Sequence, residues 1–140
     1  MRSVLEPRRN LGGSLIRGEA AGVGKGWTVS LKRVYEAADD TDGYRILVDR
    51  LWPRGLSKGD ARIDLWPKEL APSHELRQWF NHDPGKWREF LKRYRKELRS
   101  KQDLVDDLKQ TIREKEMVTL LFAASDQDHN NAVALKSMLG

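Results

Sequence analysis

The segment Met117-Val118-Thr119-Leu120-Leu121-Phe122, nearly continuous in apolar residues and preceded by the charged stretch Arg113 to Glu116, constrains the fold more than any other part of this chain. A strand that is apolar on both faces has to be covered on both. That requirement places it in the middle of a parallel sheet between packed layers. Arg45 to Leu51, centred on Ile46, Leu47 and Val48, reads as a second buried strand. Thr28 to Val34 alternates Val29, Leu31 and Val34 with polar neighbours and reads as a first strand. Between them Ala37 to Gly43, with Asp39, Asp40, Asp42 and Gly43, is a polar turn.

Helical signals begin at Ser73, a candidate cap with Glu75 in the first turn and Leu76, Trp79 and Phe80 on one face. Asp83-Pro84 is a second start, because proline at the first helical position lacks a donor that would be unsatisfied there anyway. Trp87, Phe90, Leu91, Tyr94 and Leu98 then repeat at three- and four-residue spacing. A third helix is expected from Ser100, with Asp103 in its first turn and Leu104, Val105, Leu108 and Ile112 buried. Ala132, Val133, Leu135, Met138 and Leu139 form a closing helix, whereas Ala61 to Pro72 reads as irregular with one short helical turn. The expected architecture is a small three-layer α/β domain with a short, mainly parallel sheet flanked by helices.

The 140 residues fit one domain, assigned to 26–140. Residues 1–25 read as a basic, weakly ordered extension, rich in glycine, with Arg2, Arg8, Arg9, Arg17 and Lys25 against Glu6 and Glu19. That segment holds +3 of the chain's formal +5, so the overall basicity is weak evidence for nucleic-acid binding. Cysteine is absent, which excludes disulfides, thiolate metal sites and thiolate nucleophiles and makes a reducing, cytoplasmic setting the expectation. No apolar run approaches the roughly 18 residues of a membrane span, so no membrane partner is expected. Cofactor and oligomeric state are unassigned by the sequence.

Two segments carry chemical potential. In the first, the strand through Val48 runs into Asp49, Arg50, Trp52 and Arg54, with Pro53 and Gly55 turning the chain and Lys58 beyond. Arginine's planar fork suits carboxylate and phosphate, so Arg50 and Arg54 are candidate ligand-binding residues, with Asp49 and Trp52 beside them. The competing reading is an ion pair from Asp49 to an arginine that pins the loop, with Trp52 filling the core. The second segment is the strand-to-helix turn Ser125 to Asn131, where open α/β sheets place ligands. Asp126 and His129 are candidate catalytic residues able to move a proton, and Asn130 is a candidate ligand contact. Ordinary helix capping by the same polar residues competes with that role. His82, Asp83, Asp126, Asp128 and His129 lack a helical metal-ligand spacing, so no metal is assigned. Ser125 lacks the surroundings of a nucleophile elbow.

A basic stripe offers a different partner. On the helix from Pro84 to Lys101, Arg88, Lys92, Arg95 and Arg99 share a flank with Lys96 close by, while Glu89 and Glu97 are placed to pair with Arg93 and Lys101. The stripe is thus expected to lack intrahelical partners and to be available to a nucleic-acid backbone, an acidic protein or solvent.

Taken together, Tyr44 to Gly55, Leu70-Ala71-Pro72-Ser73, Leu76-Arg77, Trp79-Phe80, His82-Asp83-Pro84, Asp126 and His129-Asn130 resemble the DUF488 family, the YeaO-like proteins. The resemblance runs from about Leu31 to the C-terminus. It implies a small bacterial and archaeal α/β domain of uncharacterised function, names no substrate, and includes Asp49, Arg50, Arg54, His82, Asp83, Asp126, His129 and Asn130 among its polar positions. The expectation is a cleft where the Arg50–Arg54 loop meets the Asp126–Asn130 turn, holding a small anionic molecule such as a nucleotide. Binding of nucleic acid or an acidic protein through the stripe and the basic extension is the alternative.

Overall fold

The computed structural model describes residues 26–139, so the basic extension 1–25 lies outside the described residues. Three strands, β1 (Thr28–Arg33), β2 (Tyr44–Leu47) and β3 (Met117–Phe122), form one parallel sheet in the order β1-β3-β2. The apolar run therefore takes the centre. Val118, Leu120 and Leu121 are fully buried, because each face of β3 meets a packed layer.

Those two layers differ in kind. On one face Val29, Ile46, Val48, Val118, Leu120 and Phe122 pack against four helices, α2 (His74–Phe80), α3 (Trp87–Arg99), α4 (Gln102–Lys115) and α5 (Asn131–Leu139). The other face carries a smaller cluster of Val34, Leu47 and Leu121, roofed by Trp52, Leu56, Ile63 and Trp66. This thinner third layer consists of the loop from Asp49 to Trp66, which includes the short helix α1 (Lys58–Ala61), and the link from β1 to β2. A parallel crossover usually takes a dozen or more residues and a helix. Here residues 34–43 suffice, with a 3₁₀ turn at Asp40–Asp42 capped by Asp39.

Charge fastens that short link. Asp42 accepts from Lys32 Nζ at 3.0 Å and from the Arg45 guanidinium, which also donates to the carbonyl oxygens of Ala61 and Arg62. Thr119 Oγ1, on β3, donates to the Asp42 carbonyl at 2.7 Å. Gly43 then turns into β2 at φ 66°, where a Cβ would stand 2.2 Å from the Met117 carbonyl oxygen, so only glycine fits. The outer edge of β2 is covered by Leu65, which exchanges backbone hydrogen bonds with Arg45 and Leu47.

Several local expectations change. β2 ends at Leu47, short of the expected Leu51, because the chain leaves the ladder once Val48 has donated to Leu121. Ser73 does cap α2, accepting from Leu76 N, but Glu97 accepts from both Ser73 N and Ser73 Oγ and so does not pair with Lys101. Lys101 Nζ donates instead to the Glu69 carbonyl. Ser100 terminates α3 by donating to Glu97 rather than starting the next helix, and α4 has no side-chain cap. The Pro84 start opens as a 3₁₀ turn, Pro84–Lys86, before α3. Among the described residues no helix is long and apolar enough to cross a membrane.

Candidate functional site

Parallel strands bring their C-terminal ends to one side of the sheet, and the two segments singled out above both start there. Asp49 is the junction. Its Oδ2 accepts from Ala123 N at 3.0 Å and its Oδ1 from Asn131 Nδ2 at 3.0 Å, while Asn131 Nδ2 also donates to the Val48 carbonyl at 2.8 Å. One carboxylate thus joins the ends of β2 and β3 to the start of α5. Burial pushes the Asp49 carboxyl above the ordinary carboxylate range, opposed by these two hydrogen bonds and by the nearby charges of Arg77 and His82.

Arg50 does not pair with Asp49. Its Nε donates to the Pro72 carbonyl at 3.1 Å and its Nη2 to the Ala71 carbonyl at 3.0 Å, which spends two of five donors and leaves the charge without a carboxylate partner among the described residues. The loop is pinned by backbone acceptors, and among the described residues the ion pair of the competing reading does not form. Trp52 donates Nε1 to the Leu56 carbonyl at 2.6 Å and stands edge-on to Trp66 at 5.5 Å, so much of its ring fills the smaller core. Arg54 is exposed, and its carbonyl accepts from Tyr35 OH at 2.9 Å. Gly55 follows at φ 79°, a conformation side chains disfavour.

In the second turn Asp126 Oδ1 accepts from Asp128 N at 2.9 Å and His129 N at 3.0 Å, and Oδ2 lies 3.0 Å from His129 Nδ1. The hydrogen bond from Asp128 N is the main cause that holds the Asp126 carboxyl below its usual range, with His129 adding to it. The His129 ring is set edge-on to Trp87 at 5.3 Å. Asn130 is buried and engaged at both ends of its amide: Oδ1 accepts from Val133 N at 3.0 Å, capping α5, and Nδ2 donates to the Asp126 carbonyl at 2.9 Å.

Between these turns lies a cavity of about 620 Å³ bordered by Asp49, Arg50, Trp52, Arg54, His129 and Asn130, so the structure brings both segments together. Asp126 does not line it and stands behind His129. The third wall is α2. His74, Arg77 and Gln78 line the cavity from that helix, with Asn81 and His82 following at its end in left-handed backbone conformations. The sequence points to the cap, first turn and apolar stripe of α2, and this face was given no site role. The signal was present, because His74, Arg77, Gln78 and Asn81 repeat at the same three- and four-residue spacing as a buried stripe. Asn131 was missed as well, since nothing local distinguishes it from its capping neighbour.

The lining charge is one-sided. Among the described lining residues Arg50, Arg54 and Arg77 face a single acidic residue, Asp49, and all three histidines of the chain, His74, His82 and His129, line the cavity beside them. Among the described residues no group of three or more His, Asp or Glu side chains is placed to hold a metal ion.

The basic stripe lies elsewhere. Arg88, Lys92, Arg95, Lys96 and Arg99 are exposed, and a shallow concavity beside Lys92, Arg93, Arg95, Lys96 and Arg99 shares no residue with the cavity. Glu89 pairs with Arg93 at 3.1 Å as expected, but it also lies 4.0 Å from Lys92, so the stripe is not wholly without an intrahelical partner.

A family model described as the inactive DUF488-N3 subclade matches residues 28–140. The uncharacterized protein YeaO of Escherichia coli is 41% identical over 111 residues, which cover 79% of this chain and 96% of that protein. An uncharacterized protein of Mycobacterium tuberculosis is likewise 41% identical over 111 residues, covering 79% of this chain and 92% of its own length. No solved structure matches the chain.

Proposed function

The chain belongs to the DUF488 family, and from that premise we propose that it binds a small anionic molecule, such as a nucleotide or a phosphorylated metabolite, in the cavity at the C-terminal end of the sheet. One observation carries this reading: three arginines and three histidines converge on one cavity against a lone carboxylate that is already occupied by Asn131 and Ala123. Arginine recognises phosphate and carboxylate through paired donors, and partial removal from water strengthens those bonds. The start of α5, beside Asn130 and Asn131, adds the positive end of a helix dipole.

Binding is favoured over turnover. The word "inactive" in the description of the matching family model agrees with it; the Asp126–His129 pair, with Nδ1 facing the carboxylate and Nε2 left for a ligand, supplies a positioned imidazole suited to either role. A second reading, nucleic-acid binding along α3, draws on the exposed cations Arg88, Arg95, Lys96 and Arg99.

Calorimetric titration with inorganic phosphate, adenosine 5′-monophosphate and citrate tests the first reading. At least one should bind, and Arg54→Gln with Arg77→Gln should weaken it by about tenfold or more while the melting temperature holds. Equal binding by wild type and the double variant overturns the proposal. Affinity for DNA or RNA that falls steeply with salt, and is lost in Arg95→Ala with Arg99→Ala, supports the second reading instead.

A further inference from the structure

Tyr35 borders the cavity yet is 43% exposed, and Leu51, another lining residue, is 63% exposed. Isolated exposed apolar side chains are ordinary on a protein surface. Tyr35 differs because it is held in place. Its hydroxyl donates to the Arg54 carbonyl at 2.9 Å, and the Arg33 guanidinium lies 5.3 Å from its ring centroid. Arg33 is itself fixed to the end of β3, donating from Nε to the Ala124 carbonyl and from Nη2 to the Ala123 carbonyl, both at 2.9 Å. The anchored Arg33 guanidinium thus lies over the ring, which stands at the rim of the cavity with the exposed Arg54.

An aromatic ring immobilised before a ligand arrives loses little conformational freedom when something stacks on it. A bare anion has no use for such a surface, whereas a planar π-system does. Arg54, whose carbonyl anchors the ring, also lines the cavity, so an aromatic surface and a side chain suited to anions share one rim. We infer that the anion bound here carries a planar aromatic or heteroaromatic ring, and that Tyr35 is the residue that selects for it. The inference rests on the cavity being an anion site and adds the class of its organic part.

The test compares three phosphates by calorimetry on the full chain: adenosine 5′-monophosphate, phenyl phosphate and ribose 5-phosphate. The two ring-bearing compounds should bind about tenfold more tightly than ribose 5-phosphate. Tyr35→Ala should bring all three to parity with an unchanged melting temperature, and Tyr35→Phe should retain most of the preference. If ribose 5-phosphate binds as tightly as the others, or the preference survives Tyr35→Ala, the ring assignment is wrong and the anion site stands. If none of the three binds wild type, the anion site fails and the ring assignment with it.

Discussion

Asp42 and Asp49 flank β2, one just before it and one just after, and both are drawn out of water. Burial raises the pKa of each, yet the net shifts are opposite: Asp42 is lowered and Asp49 is raised. The difference lies in their contacts. Asp42 meets two cations directly, Lys32 and Arg45, in addition to the backbone of Asp39. Among the described residues Asp49 directly meets only the neutral donors of Asn131 and Ala123, with Arg77 and His82 acting at longer range. At the first end, charge is paired within the fold and the interior is closed. At the second, the cations are left facing a cavity. Matched charge locks a short crossover, whereas Arg50, Arg54 and Arg77 border the cavity at the other end beside a carboxylate that none of them pairs with among the described residues.

Breaking the closed end should cost most. Asp42→Ala strands the Arg45 guanidinium, which is only 4% exposed, and should destabilise the protein by about 3–5 kcal/mol in urea denaturation. If the loss is below about 1 kcal/mol, the cluster does not fasten the crossover. Next in size, Asn130→Ala removes the cap of α5 and should cost about 1–2 kcal/mol in the same denaturation measurement. Asp49→Asn should change stability by no more than about 1 kcal/mol at neutral pH, because one hydrogen bond is lost while a buried charge is removed.

The two aspartates should also respond to pH with opposite signs. The folded pKa of Asp42 lies below the ordinary 3.8, so its stabilisation is present above that value and is lost as pH falls through the folded value. The folded pKa of Asp49 lies above 3.8, so its contribution is present below that value and is lost as pH rises through the folded one. From acid to neutral pH, wild type should therefore gain stability relative to Asp42→Asn and lose it relative to Asp49→Asn. Parallel profiles would remove the contrast. The smallest effect is expected on the stripe: Lys92→Ala breaks an exposed 4.0 Å contact with Glu89 and should change stability by less than about 0.5 kcal/mol.

What could be read from the sequence was local. The continuous apolar run of β3 announced a central parallel strand, Ser73 and Asp83 announced helix starts, and Trp87 to Leu98 announced an amphipathic helix, because each signal lies within a few residues of its consequence. The convergence of the Arg50–Arg54 loop with the Asp126–Asn130 turn followed from topology, since parallel strands share an end. Bonds between residues far apart in the chain were not legible: Glu97 to Ser73, Arg50 to the carbonyls of Ala71 and Pro72, and Asp49 to Asn131 leave no local trace. The early end of β2 belongs with them, because Val48 makes the last ladder bond, to Leu121 far along the chain. The polar face of α2 was legible in principle and was hidden by attention to its apolar one.

The strand order has a kinetic consequence. β1 and β2 do not touch; each pairs only with β3, which comes after both and after every helix except the last. No part of the sheet can assemble until nearly all of the chain is available, and every strand pairing then closes a loop long in sequence, a topology that folds slowly. A chain emerging from a ribosome would hold β1, and the inner edge of β2, without a strand partner until Met117–Phe122 arrived. The cavity, whose walls hang from the ends of β2 and β3 and from α5, would be the last feature to form, so a ligand that fills it would act on the final step of folding.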